Sequence, residues 1–274
     1  MDLKNGFKME TSKVMRNTII SLLKKNKRID GRRVDEFREI QIIPDISKNA
    51  EGSCEVRIGK TIVVAGVKID VVEPFQDSPD SGVLIVNAEL LPLSYAGFEP
   101  GPPGIQAIEL ARIVDRCIRE SEFIDLKKLC IEEGKKVYGI FIDIYSINYD
   151  GNLTDASFLA SVIALKRSFL PKVEKIYDEY RVVYGEKTKT PLPLKQTIPF
   201  LCSIYRIEDH FFFDANMIEE KASDGVVVVG MMDNTIHAMQ KNGSDVLSIE
   251  QLKNIVELAK KGIQQIKQKV EKFL

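Results

Sequence analysis

The chain has 274 residues, 44% of them hydrophobic and 29% charged, with a formal net charge of −1. That composition belongs to a folded protein with one sizeable domain or two modest ones, and it excludes a disordered chain. A near-neutral chain exerts no overall field on nucleic acid, so any such binding has to come from a local basic patch or from a partner chain. No apolar run approaches the roughly 18–20 residues of a membrane span. The opening Met1-Asp2-Leu3-Lys4-Asn5 lacks the apolar core of a signal peptide. Together these predict a cytoplasmic protein with no membrane partner.

Residues 11–26 read as a helix with Val14, Met15, Thr18, Ile19, Leu22 and Leu23 on one apolar side. Lys24, Lys25 and Lys27 make its end basic, which also suits the C-terminal dipole. Arg28-Ile29-Asp30-Gly31-Arg32-Arg33, followed by Glu36 and Arg38, predicts a turn held by ion pairs. Strands are expected over 53–72, rich in β-branched residues, with Gly59-Lys60 at the hairpin, and again near 83–91. The stiff loop Pro100-Gly101-Pro102-Pro103-Gly104 ends that strand region, because proline fixes φ and removes a backbone donor. A helix then begins near Ile105, burying Ala107, Leu110, Ala111, Val114, Cys117 and Ile118, and the stretch 98–121 reads as the element about which the chain is organised. Residues 137–149 form a strand with too few polar positions for an exposed one, and Asp150-Gly151-Asn152 turns the chain into a helix over about 155–168. The mixed segment 171–197 reads as a linker. A strand over 224–232, a turn at Lys241-Asn242-Gly243 and a long helix over 248–273 follow, the helix opened by a Ser248/Gln251 capping box. Strands before helices, twice over, predict the α+β class with two related halves, mixed β-sheets packed with helices.

Arg112, Arg116 and Arg119 stand at i, i+4 and i+7, so their guanidiniums leave one side of the helix. One reading is an anion-binding stripe, since a guanidinium offers a fork of donors suited to phosphate. The other is local ion pairing, with Glu109 three residues before Arg112 and Asp115 four before Arg119. Cys54, Cys117, Cys130 and Cys202 form no C-x-x-C pair and read as buried free thiols. His210 and His237 are far apart and read as structural, so neither a metal site nor serine-hydrolase chemistry is expected. Glu219, Glu220 and Asp224 read as solvated loop or strand-edge charges.

Longer motifs go further. Pro79-Asp80-Ser81-Gly82, Ile85-Val86-Asn87-Ala88-Glu89-Leu90-Leu91-Pro92-Leu93, Phe98-Glu99-Pro100-Gly101-Pro102-Pro103 and Ile108-Glu109-Leu110-Ala111-Arg112-Ile113-Val114-Asp115-Arg116 run together, and Arg28-Ile29-Asp30-Gly31-Arg32 precedes them. From about Arg28 to about Glu257 the chain resembles the non-catalytic RNase-PH-like ring subunits of the archaeal exosome. The resemblance implies a duplicated RNase-PH-like fold, with an N-terminal helical extension over 1–27, a first half over 28–190 and a second half with the C-terminal helix over 191–274. It also implies an alternating hexameric ring with a catalytic homologue, RNA-binding cap subunits, no cofactor of its own, and single-stranded RNA held by Arg112, Arg116 and Arg119.

Catalytic members of the family cleave RNA with inorganic phosphate. Their phosphate loop reads Asp-Gly-Gly-Thr/Ser-Arg ahead of a helix, where this chain has Asp150-Gly151-Asn152-Leu153-Thr154-Asp155. The arginine has become Thr154, and Asp155 is expected to add a charge that repels phosphate. Their second signature, Asp-x-x-x-x-Glu-Asp, is followed six residues on by the acid nearest the chemistry. Here Asp214, Glu219 and Glu220 stand in the signature and the acid falls on Val226. The resemblance therefore implies no catalytic residue in this chain. A self-sufficient phosphorolytic exoribonuclease and a scaffold or RNA-binding module unconnected to phosphorolysis are the alternatives.

Overall fold

The computed structural model describes residues 12–177 and 179–273. In chain order they form α1 (Lys13–Leu23), β1 (Ile40–Pro44), β2 (Gly52–Ile58), β3 (Thr61–Val72), β4 (Val83–Leu90) and α2 (Ile105–Glu120). Next come β5 (Cys130–Glu132), β6 (Lys136–Asn148), α3 (Leu153–Lys166), β7 (Phe169–Ile176) and β8 (Glu179–Pro191). The second half adds β9 (Phe200–Ile207), β10 (His210–Phe213), α4 (Met217–Ala222), β11 (Gly225–Met232), β12 (Thr235–Asn242) and α5 (Ile249–Val270). Residue 11 of the first expected helix lies outside the described residues.

Two sheets carry the architecture. One runs β1-β2-β3-β6-β4, with β5 paired to β6; only the β4–β6 pairing is parallel. The other is antiparallel in the order β10-β9-β11-β12. Period-two alternation sets which face turns inward. Along β3, Thr61, Val63, Ala65, Val67 and Ile69 are buried while their neighbours are not. Along β6, Ile140, Ile142 and Ile144 are buried against half-buried Phe141, Asp143 and Tyr145.

The helix at the centre is α3, and this corrects the expected central place of 98–121. Every residue from Asp155 to Leu165 is buried, the pattern of a helix enclosed on all sides. It packs on β2 and β3 on one side and on β9 on the other. By contrast α2 is amphipathic: Ala107, Leu110, Ala111, Ile113, Val114, Cys117 and Ile118 are buried and the remaining positions are exposed or half-buried. One continuous apolar core runs from Phe37 through α2, α3 and β9 to Val270.

The linker expected over 171–197 is largely a β-hairpin, β7–β8. Its apolar residues alternate with charged ones, which hides the strand pattern behind a polar composition. The first helix is shorter than expected: Ser12 accepts from the Met15 N–H, Val14 is exposed, and Ile19, Ile20 and Leu23 are buried. These three pack against Tyr205, Ile207, Phe212, Ala215 and Ala222, so α1 lies on the second half of the chain. The Ser248/Gln251 capping box is formed, with N–H to side-chain oxygen distances of 3.1 Å and 2.9 Å. Cys54, Cys117 and Cys202 are buried free thiols, and burial pushes those of Cys54 and Cys117 up to about 12; Cys130 is only half-buried. Among the described residues no helix is long and apolar enough to cross a membrane.

Candidate functional site

A buried polar seam joins the two halves. Gly31, at φ +89°, makes the tight turn that the Asp-Gly pair predicts. The arginines around it do more than close that turn. Arg28 is 2% exposed, donates from Nε to Glu219 at 2.7 Å and lies over the Phe212 ring. Its other nitrogens donate to the carbonyls of Phe213 and Asp214 at 3.0 and 3.1 Å. Arg38 donates to the Asp214 carboxylate at 2.7 Å, to the carbonyls of Asp150 and Gly151, and to that of Ala215. Arg32 reaches Asp214 as well, at 2.9 Å. Burial alone would raise the Asp214 carboxyl, but the Arg38 and Arg32 guanidiniums outweigh it and hold the group below the usual carboxylate range.

The loop after β6 lies on this seam. Gly151 has φ +83°, and a Cβ there would meet the Ala215 carbonyl at 2.5 Å, so the loop and the approach to α4 touch only because this residue has no side chain. Asn152, left-handed at φ +58°, stands at the head of α3. Asp155 does not face a phosphate position, as the sequence leads one to expect. It is 2% exposed and turned into the core, where it accepts from Ser203 Oγ at 2.7 Å and from Asn152 Nδ2 at 3.0 Å. Burial pushes its carboxyl up to about 7 against the pull of those donors.

Glu219 and Glu220 also correct their expected roles as solvated charges. Glu219 is fully buried on Arg28 and closes the capping box of α4 with Asn216. Glu220 accepts from the Asn152 N–H at 2.7 Å, from the Tyr205 hydroxyl at 3.2 Å and from the Tyr149 hydroxyl at 3.1 Å. Burial outweighs these donors and raises its carboxyl. The Asn152 N–H at the head of α3 is thus taken by a carboxylate of the same chain. Asp224 is half-buried and paired with Arg16 at 2.9 Å. The burial of Glu219 on Arg28 carried no signal in sequence, because the two residues are 191 positions apart.

Above the loop lies a cleft of about 450 Å³. Thr154 and Val226, the two positions where the catalytic signatures are lost, both line it. So do Tyr95, Phe98, Tyr149 and Glu220. Tyr95, Phe98 and Tyr149 form an aromatic trio with ring centroids 5.3–5.5 Å apart. Lys221 donates to the Tyr95 hydroxyl at 2.9 Å. The far wall comes from α2 and β12, through Gln106, Glu109, Gln240 and Asn242. His210 and His237 lie outside this cleft, His237 with its Nδ1 2.9 Å from the Glu120 carbonyl. Among the described residues no group of three or more His, Cys, Asp or Glu is arranged to hold a metal ion.

The three α2 arginines differ from one another. Arg112 is exposed and, among the described residues, makes no ion pair or hydrogen bond. Arg116 is half-buried and reaches Gln240 Oε1 at 3.4 Å. Arg119 is bound to Asp115 at 2.6 Å and to the Leu84 carbonyl at 3.0 Å. Glu109 turns away from Arg112 and accepts from Asn242 Nδ2 at 3.2 Å.

Two sheets sharing a buried helix, a cleft at the loop before that helix and a degenerate acid signature define a member of the RNase-PH-like fold class. The chain belongs to the 3′ exoribonuclease family, whose domain 1 matches residues 36–171 and whose domain 2 matches residues 197–262. It is 39% identical to the exosome complex component Rrp42 of Methanothermobacter thermautotrophicus, over 95% of this chain and 96% of that protein. A solved structure described as the Archaeoglobus fulgidus exosome with RNA bound to the active site contains a chain that is 40% identical. That match has a TM-score of 0.83 and covers 93% of this chain and 97% of the other. An archaeal exosome core gives 38% identity and a TM-score of 0.80 over 95% and 96% of the two chains.

Proposed function

We propose that this chain is the non-catalytic subunit of an exosome ring of the archaeal type, which degrades RNA 3′→5′ by phosphorolysis. In that ring it alternates with a catalytic RNase-PH-like homologue, supports the homologue's active site and works in the cytoplasm beneath RNA-binding cap subunits. Arg112 and Arg116, with Arg119 at the end of the stripe, take phosphates of the single-stranded RNA that enters. Phosphate contacts position a strand without reading its bases, which suits degradation of any sequence.

The observation that carries this reading is the meeting of Thr154 and Val226 in one cleft. Phosphorolysis needs a cation or N–H donors for the attacking phosphate and an acid beside the scissile bond. Here the side chains at both positions lack those functions, and the Asn152 N–H is held by Glu220. Arg112, which has no partner among the described residues, supports the RNA stripe. The test is an assay of nucleoside diphosphate release from RNA and phosphate by the pure chain, by the catalytic homologue, and by the two together. The pure chain is expected to be inactive and the mixture to exceed the homologue alone. Phosphate-dependent release by the pure chain would overturn the reading.

A further inference from the structure

We propose that the cleft beside α3 takes one unstacked nucleobase and refuses phosphate, so that a strand lying on the α2 arginines can place a base in it. The strand's position rests on the RNA reading of the stripe; the base pocket stands on its own geometry. At about 450 Å³ the cleft falls in the range of small-molecule pockets, about 300–1,000 Å³.

Its walls suit a flat, polar-edged ring. Tyr95 and Phe98 are half-buried and offer apolar faces on one side. On the other, Gln106 offers its amide, Gln240 its NH2 beside the oxygen that Arg116 approaches, and Asn242 its carbonyl beside the NH2 that Glu109 takes. Together they present donors and acceptors, the pattern that pairs with base edges. Single-stranded RNA is recognised in this way, by stacking on aromatic side chains and hydrogen bonding along exposed edges.

The same cleft is hostile to anions. Glu220 holds the Asn152 N–H and the hydroxyls of Tyr149 and Tyr205. Glu109 and Asp224 add two further carboxylates to the lining. Lys221 is the one cation among the described lining residues, and it is held on Tyr95, 2.9 Å from the hydroxyl and 4.6 Å from the ring centroid. The base pocket and the phosphate stripe adjoin, because Arg116 touches Gln240, which lines the cleft. Base inside and phosphate outside is the arrangement these charges select.

The full chain is titrated with adenosine and uridine, with their 5′-monophosphates and with inorganic phosphate, followed by saturation-transfer NMR and calorimetry. The nucleosides are expected to compete for one site. The monophosphates are expected to bind at least as tightly, with the base inside and the phosphate on the Arg116 side, whereas inorganic phosphate is expected not to compete, since like charges would face each other in the cleft. Gln106→Ala with Gln240→Ala should weaken nucleoside binding about tenfold through removal of base-edge hydrogen bonds, with the melting temperature unchanged. Phe98→Ala should weaken it by removing a stacking face. The proposal is overturned if inorganic phosphate competes with the nucleosides, if the folded chain binds no nucleoside, or if the glutamine double variant binds as the parent does. Arg112→Ala separates the two readings: nucleoside binding should be untouched while the assembled ring loses RNA affinity. Retained RNA affinity in that variant would remove the stripe and leave the pocket.

Discussion

Two groups of arginines occupy this molecule, and their surroundings differ most between Arg28 and Arg112. Arg28, Arg32 and Arg38 are drawn into the seam between the halves, where each guanidinium meets a carboxylate and at least one main-chain carbonyl. Arg112, Arg116 and Arg119 lie along one helix face, with no partner among the described residues for the first, one long amide contact for the second, and Asp115 with the Leu84 carbonyl for the third, which is thus supplied much as the seam arginines are. Spacing alone does not separate these groups, since both put three arginines within about ten residues. What separates them is the number of acceptors that the fold delivers to each guanidinium. A fully supplied guanidinium holds structure, and an undersupplied one is available to a ligand.

The sharpest way to break this comparison is to strand a seam arginine. Glu219→Ala leaves the Arg28 charge buried without its carboxylate. It should cost about 3–5 kcal/mol, the usual penalty for breaking one side of a buried pair. Urea denaturation measures it. Arg28→Met combined with Glu219→Leu should recover most of that stability, because no lone charge remains; a single-variant cost below about 1 kcal/mol would place the pair among weak surface contacts.

Asp155 tests the seam by pH. Its carboxyl is raised from 3.8 to about 7, so the unfolded chain releases this proton at lower pH than the folded one does. The group therefore lowers stability as pH rises from about 4 to about 7, and its effect is level above that. Between pH 5 and 8 the native protein should lose about 2–3 kcal/mol from this group, by the linkage relation. Asp155→Asn should remove that slope in denaturation curves taken across the range. An unchanged slope would mean that the carboxylate is charged in the fold.

The exposed arginines should behave in the reverse sense. Arg112→Ala with Arg116→Ala should weaken RNA binding by the assembled ring equally for all sequences. It should flatten the salt dependence by about 0.7 for each phosphate no longer neutralised, about 1.4 for both. Melting temperature should stay constant. A lowered melting point with unchanged RNA affinity would place these two with the seam group. The smallest effect is expected at Arg119→Ala, whose i, i+4 pair with Asp115 is partly solvated and accounts for about 0.3–0.5 kcal/mol. A double-mutant cycle with Asp115→Ala isolates it.

The sequence is most legible where structure is local. The buried face of α2 follows from helical spacing, and the capping box of α5 from two residues three apart. The departures from long motifs at Thr154 and Val226 are visible in the sequence, though not that the fold brings them to one cleft. The rest is hidden because it depends on distant partners. Glu219 looks solvated until Arg28 arrives from the other end of the chain, and Asp155 turns inward because Ser203 and Asn152 satisfy it. The hairpin β7–β8 is hidden for another reason: its charged residues alternate with apolar ones and dilute the hydrophobic signal.

Arg38 stands in the first half of the chain, yet it ties the loop at Asp150 and Gly151 to Asp214 and Ala215. Neither half can loosen without leaving this guanidinium and the Asp214 carboxylate unmatched in the interior. The two family domains are consequently expected to melt together as one cooperative unit. Its most protected exchangeable protons are expected to include two that belong to no regular element, the Arg38 N–H on Asp214 at 2.8 Å and the Asn152 N–H on Glu220 at 2.7 Å. Their exchange with solvent should report opening of the whole molecule, although both sit outside helix and strand.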